Sequence, residues 1–155
     1  MEPEYRQTQY GALMFAVFFV PGILLALVAR AALAEGRWFS TLVMIGLYLF
    51  GLVSFYALTV EISAGQLSFW FGIGVIRKSY PLSEIQSVVE VRYPWYYFWG
   101  IKSIPGGWFY ALAPGDAVEI TLRSGKVLSL GTKQPESLRQ ALERAIKQEG
   151  DQQSP

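Results

Sequence analysis

The chain has few side chains able to do chemistry. Its 155 residues include no cysteine and no histidine, which excludes disulfide frameworks, thiol catalysis, Cys/His zinc sites and the Ser-His-Asp triad. The remaining acid–base candidates are Glu61, Glu84, Glu90, Asp116 and Glu119, scattered over segments that read as strands and turns. Two of them would have to be held together to act as an acid–base pair, and strand carboxylates on an outward face are ordinarily just solvated. The acidic clustering that calcium or magnesium requires is missing from the sequence. Gly72-Ile73-Gly74 lacks the rest of a dinucleotide fingerprint and no suitable helix follows it, so it reads as a strand feature. A net charge of +1 and a pI near 7.9 argue against nucleic acid, whose binding needs a basic surface. The expectation is a protein that is not an enzyme, with no catalytic residue, metal or cofactor.

Aromatic residues are the more unusual resource. Tyr93, Trp95, Tyr96, Tyr97, Phe98, Trp99, Trp108, Phe109 and Tyr110 all fall between Arg92 and Tyr110. Trp and Tyr join an apolar body to a polar edge, which suits a bilayer interface or a partner surface. Tyr93, Trp95, Tyr96, Tyr97, Phe98, Trp99 and Trp108 are therefore the candidate contact residues. The competing reading is that about half of these rings simply fill a core.

The elements that position these residues begin with two apolar runs. No charged residue occurs between Gly11 and Ala29 or between Trp38 and Val60, and each run can supply the about 20 helical residues a bilayer requires. We expect helices over about 11–30 and 38–60, forming a transmembrane hairpin in a segment 1–60. The first carries Pro21-Gly22, tolerated in a membrane helix if neighbours or local adjustment satisfy the freed carbonyl. The second carries Gly46, Gly51 and Ser54, small residues that allow close helix approach, although not in a GxxxG spacing. Arg30 to Arg37 is a short charged link ending at Trp38, which makes the helices antiparallel neighbours. Met1 to Tyr10 reads as a polar flank. A cleaved signal peptide is the alternative for the first run, since Arg6 precedes it and Ala32-Leu33-Ala34 fits a cleavage pattern, but the run exceeds the usual apolar core. Neither run shows the polar face of a soluble helix.

From Glu61 the pattern changes to short alternating runs separated by turn residues, the mark of a mostly antiparallel sheet. Glu61–Ser63 and Gln66–Phe71 form one expected hairpin, Val75–Tyr80 a further strand, and Ser83–Arg92 another. Val118, Ile120 and Leu122 alternate with polar residues, and Ser124-Gly125 turns the chain into Leu128 and Leu130, the clearest hairpin. Pro135 then opens a helix whose Leu138, Ala141, Leu142, Ala145 and Ile146 make one apolar stripe. The expected soluble domain is 61–149, followed by a disordered tail, 150–155.

Several phrases in this part go together: Tyr80-Pro81-Leu82-Ser83-Glu84-Ile85, Trp99-Gly100-Ile101-Lys102, Pro105-Gly106-Gly107-Trp108, Asp116-Ala117-Val118-Glu119-Ile120 and Gly131-Thr132. In their order and spacing they resemble the membrane-anchored bacterial pleckstrin-homology domain family, from Glu61 to about Gln148. The resemblance implies a small barrel of about seven antiparallel strands capped by a C-terminal helix, an architecture more than an activity. Phosphoinositide-binding relatives use clustered Lys and Arg in the first hairpin loop. Here that loop is Ser63-Ala64-Gly65-Gln66, which leaves Arg77 and Lys78 as weak headgroup candidates.

Positive charge orients the hairpin poorly, with Arg30 and Arg37 in the link against Arg6, Arg77 and Lys78 outside it. The resemblance favours a plasma (inner) membrane location with both termini cytoplasmic. The expected function is a non-enzymatic interaction module or scaffold, with the lipid bilayer and an unidentified membrane protein, or a second copy, as partners. Two rivals remain: an accessory subunit of a transporter or envelope complex that makes contact through the hairpin, and a membrane enzyme acting on lipid or cell-wall precursors.

Overall fold

The computed structural model describes residues 4–10, 12–97 and 100–152, with side chains throughout except at 12–15 and 152. The order is β1 (Tyr5–Tyr10), α1 (Ala12–Ala34), α2 (Trp38–Phe55), β2 (Ala57–Ser63), β3 (Gln66–Phe71), β4 (Ile76–Pro81), β5 (Ile85–Tyr93), β6 (Gly100–Ile104), β7 (Gly107–Ala111), β8 (Gly115–Leu122), β9 (Val127–Gly131) and α3 (Pro135–Gln152). Leu82–Glu84 and Trp95–Tyr97 form 3-10 turns.

Helices α1 and α2 form the expected hairpin, and both are long and apolar enough to cross a bilayer. Their large side chains, among them Leu24, Leu27, Phe39 and Leu47, are mostly exposed. At 23 and 18 residues they measure roughly 35 Å and 27 Å. Helix α1 continues through Pro21. Three residues before it, the Phe18 carbonyl accepts a hydrogen bond from the Tyr48 hydroxyl of α2 at 2.6 Å, which ties the two helices together beside the proline; the carbonyl that Pro21 itself frees is the one four residues back, on Val17. Gly22 makes room for this bond, since a Cβ there would lie 2.6 Å from the Tyr48 hydroxyl oxygen. Helix α2 ends at Phe55, and Ala57–Val60, expected to be helical, is strand.

The polar flank is also a strand. Strand β1 pairs antiparallel with β2, Tyr5 opposite Ile62 and Tyr10 opposite Ala57. Its residues alternate between half-buried Tyr5, Gln7 and Gln9 and exposed Arg6, Thr8 and Tyr10. The inward positions are mostly polar, so hydrophobic periodicity does not mark them. The helical hairpin is thus inserted between two neighbouring, paired strands.

The strands form two sheets, not a closed barrel of seven. One is antiparallel, in the order β1-β2-β3-β4; the other is β5-β8-β9-β7-β6, with β7 and β9 parallel. The parallel pair comes from a close approach: a Cβ on Gly107 would overlap the backbone of Val127, so only glycine lets β7 lie there. The sheets enclose Leu58, Val60, Ile62, Leu67, Phe69 and Phe71 on one side and Val118, Ile120, Leu128 and Leu130 on the other. Helix α3 adds fully buried Leu138 and Leu142 to the same core. It lies along β5, where Arg139 reaches Glu90 at 2.7 Å and Glu143 at 2.8 Å. Tyr5 of β1 lines one hollow with Ala141 and Ala145, so α3 covers the seam between the β1 and β5 edges. It continues through Gly150 to Gln152, beyond the expected start of a disordered tail.

Candidate functional site

Strand register sorts the turns into two ends. Strand β1 runs into α1 and β2 leaves α2, so Tyr10, Tyr56 and Ala57 mark the helix-bearing end. Strand β3 returns to that end, where Phe71 lies opposite Leu58, and turns through Gly72–Val75 into β4. The second sheet is joined to this end by side chains of β1. Gln9 donates to the Gly131 carbonyl and accepts from the Lys133 N–H, both at 3.2 Å, while the Thr132 hydroxyl donates to Gln7 at 3.3 Å. Gly131 is opposite Ala117, Gly115 is opposite Tyr93, and Ala111 is opposite Gly100. The connections through Trp95–Tyr97 and Leu112–Pro114 therefore share the helix-bearing end. At the far end lie the turns at Ala64-Gly65, Pro105-Gly106 and Ser124-Gly125.

The Gly72–Val75 turn is packed onto the last turn of α2. Gly72 has φ +49, its N–H donates to the Ala57 carbonyl at 2.7 Å, and a Cβ would collide with the Val53 and Ser54 carbonyls. Phe55 and Phe71 meet across this joint with ring centroids 5.7 Å apart. Held there, Ile73 is 65% exposed and Val75 51%. The sequence read Gly72 and Gly74 only as a weak strand end. Two glycines bracketing an aliphatic residue were the available signal for a turn presenting it.

The aromatic stretch divides into two sets. Its first part folds back over the outer face of the second sheet, where Ile104, Phe109, Ala111 and Ala117 form a separate apolar cluster covered by Val91, Tyr93, Tyr97 and Val127. Tyr93 sits 4.5 Å from Phe109 and 5.0 Å from Tyr97 between centroids. Burial raises the Tyr93 pKa, and the nearby Glu119 carboxylate, which accepts its hydroxyl at 3.3 Å, adds to the shift. Tyr110 is buried in the main core against Phe69. Trp95 and Tyr96 face outward, 73% and 57% exposed, at the helix-bearing end. Trp108 is 52% exposed but lies on β7, away from that group. Phe98 and Trp99 lie outside the described residues.

Arg77 and Lys78, adjacent on β4, project to opposite faces. The Arg77 guanidinium covers the Trp70 ring at 4.8 Å, while Lys78 lines a cleft on the other face. Four of the five candidate carboxylates are individually engaged, Glu61 with Arg6 at 3.7 Å, Asp116 with Arg92 at 3.6 Å, Glu90 with Arg139 and Glu119 with Tyr93, while Glu84 lies in the 3-10 turn before β5. Among the described residues no group of three or more carboxylates is placed to hold a metal ion.

The cleft, about 760 Å³, lies where the two sheets part. Its walls carry Ile76, Lys78 and Tyr80 of β4, Ile101 and Ser103 of β6, and Trp108 and Lys126. Strand β4 is the last strand of one sheet and β6 the last of the other, so among the described residues the seam opposite α3 is open. No family model and no curated protein matches this chain.

Proposed function

We propose that this protein is a non-enzymatic, membrane-anchored interaction module, with α1 and α2 crossing the plasma membrane and the two-sheet domain seated on its cytoplasmic surface. The observation that carries this reading is the insertion of an apolar helical hairpin directly between the paired strands β1 and β2. A buried helix of a soluble protein would have most of its surface covered, whereas most residues of these two are exposed, and few are buried, on the surface that lipid would fill. With no linker after Tyr56, the sheet begins where the span ends.

The helix-bearing end suits that placement. Tyr10 stacks near Tyr56 at 6.2 Å, and Ile73, Val75, Trp95 and Tyr96 stand exposed on the same end, the residue types that settle in the interfacial layer. The resemblance to bacterial pleckstrin-homology domains that the sequence phrases carry is part of this proposal, while the two separate sheets, one of them mixed, depart from a plain seven-stranded barrel. A module held at the surface in this way raises its local concentration near membrane partners, so weak contacts suffice.

The chain has no native cysteine, so single introduced cysteines report position uniquely. Gly36→Cys should react with a membrane-impermeant maleimide in intact cells, and Gln148→Cys only after permeabilisation. Reaction of both from the same side, or release of the protein by alkaline carbonate, refutes the placement. A photoreactive residue at Trp95 should capture phospholipid; capture of nothing removes the interfacial role of that turn.

A further inference from the structure

We infer that the open seam between β4 and β6 is a strand-addition site for an extended, acidic segment of a partner protein. This rests on the interaction-module reading and deepens it, but it does not depend on the membrane placement.

The backbone sets the shape of the occupant. The Leu82 N–H donates to the Gly65 carbonyl at 2.8 Å, and in an antiparallel ladder such pairs recur at every second residue. Given the register Leu67↔Tyr80, Phe69↔Lys78 and Phe71↔Ile76, residues 76, 78 and 80 spend their backbone groups on β3. Arg77 and Ser79 therefore turn their N–H and C=O groups outward, along an edge that no further strand of the described residues joins. An extended chain satisfies such an edge, with alternate side chains entering the groove beside it.

The side chains set the chemistry. Ile76, Tyr80, Ile101 and Trp108 supply apolar walls, while Lys78 and Lys126 line the same cleft and none of its lining residues is acidic. The volume falls within the roughly 300–1,000 Å³ common for binding pockets. The equivalent seam on the other side of the sandwich is covered by this chain's own α3, whereas among the described residues no element covers this one. A second copy fits poorly, because pairing β4 with β4 would set Arg77 and Lys78 against themselves. A partner strand alternating apolar and acidic residues matches both the edge and the charge.

The test uses the full chain in phosphatidylethanolamine–phosphatidylglycerol nanodiscs and in detergent micelles. The probe is a fluorescent peptide alternating valine and glutamate, and its lysine counterpart is the control. Fluorescence anisotropy should show saturable binding of the acidic peptide in both media, weakened by salt, and little binding of the basic one. Ser79→Pro removes an outward N–H and leaves the backbone ladder of β3 and β4 intact, but it also removes the 2.8 Å hydroxyl bond to Ser68; measured against Ser79→Ala, which loses that hydroxyl bond alone, it should weaken binding about five- to tenfold. Lys78→Glu with Lys126→Glu should reverse the preference between the peptides. If Ser79→Pro does not fold, an acidic peptide methylated on alternate backbone nitrogens tests the same bonds on the unaltered protein. Absence of binding, equal binding of both peptides, or indifference to these changes overturns the site. So does a dimer that the charge-reversed variant dissociates, or phospholipid found in the cleft by native mass spectrometry. Peptide failure with the cysteine-labelling pattern intact removes only the seam, and the converse removes only the membrane placement.

Discussion

Replacing Gly72 by alanine tests whether the β3–β4 turn is locked to the end of α2. Two costs apply. The residue has φ +49, a left-handed conformation costing an L-residue about 1–2 kcal/mol. A Cβ would also sit 2.6 Å from the Ser54 carbonyl oxygen, and closer still to that of Val53. Those atoms are backbone and cannot rotate aside, so the turn must lift, which breaks the 2.7 Å bond from Gly72 to Ala57. That bond contributes about 0.5–1.5 kcal/mol, for a total near 1.5–3.5 kcal/mol. Gly74 is the control: its φ is +92 but nothing lies within 4 Å of its Cβ position, leaving only the conformational cost. Thermal unfolding in micelles, followed by near-ultraviolet circular dichroism, should lower the midpoint by about 2–4 °C per kcal/mol, and further for Gly72→Ala than for Gly74→Ala. A lifted turn should also let a cysteine at Val75 react faster in the Gly72 variant alone. Equal midpoints and equal reactivities for the two variants would refute the locked joint.

Two further outcomes follow from the same reasoning. Tyr48→Phe removes the hydroxyl that serves the Phe18 carbonyl beside Pro21, and should cost about 0.6 kcal/mol and no more than about 1.7. Gly22→Ala should be milder in that background, because the hydroxyl it would strike 2.6 Å away is gone; strict additivity in thermal midpoints counts against the contact. Burial raises the pKa of Tyr5, Tyr93 and Tyr110 above the ordinary 10.0. The folded state therefore holds these protons more tightly than the unfolded one. The associated stability is complete below about pH 10 and is lost as pH rises through the folded values. Melting temperatures between about pH 9 and pH 11.5 should fall, and less steeply in Tyr93→Phe; a flat profile would refute this.

Much of the architecture was legible in residue order. The uncharged runs through Leu24 and Leu47 read as apolar helices, because a span of that length without a polar face suits a helix that is apolar all round, although the end of the second, Ala57–Val60, is strand. The Val118–Leu130 hairpin and the Leu138–Ile146 stripe were equally plain, since their periods of two and of about 3.6 are written in the sequence. Strand β1 was not, because the half-buried Gln7 and Gln9 are held in place by hydrogen bonds to Gly131, Thr132 and Lys133 instead of by hydrophobicity.

The candidate site divides in the same way. Composition located the aromatic stretch, but the sorting of Tyr93 and Tyr97 inward and Trp95 and Tyr96 outward depends on an apolar cluster on the outer face of the second sheet. Arg77 and Lys78 are neighbours in sequence, yet strand pleating sends them to opposite faces. The exposed turn at Ile73, its lock on α2 and the open seam beside β4 exist only once distant strands have paired. Local order sets which segments are helix or strand and which faces are apolar; which edges remain free, and which turns gather at one end, is set by long-range register.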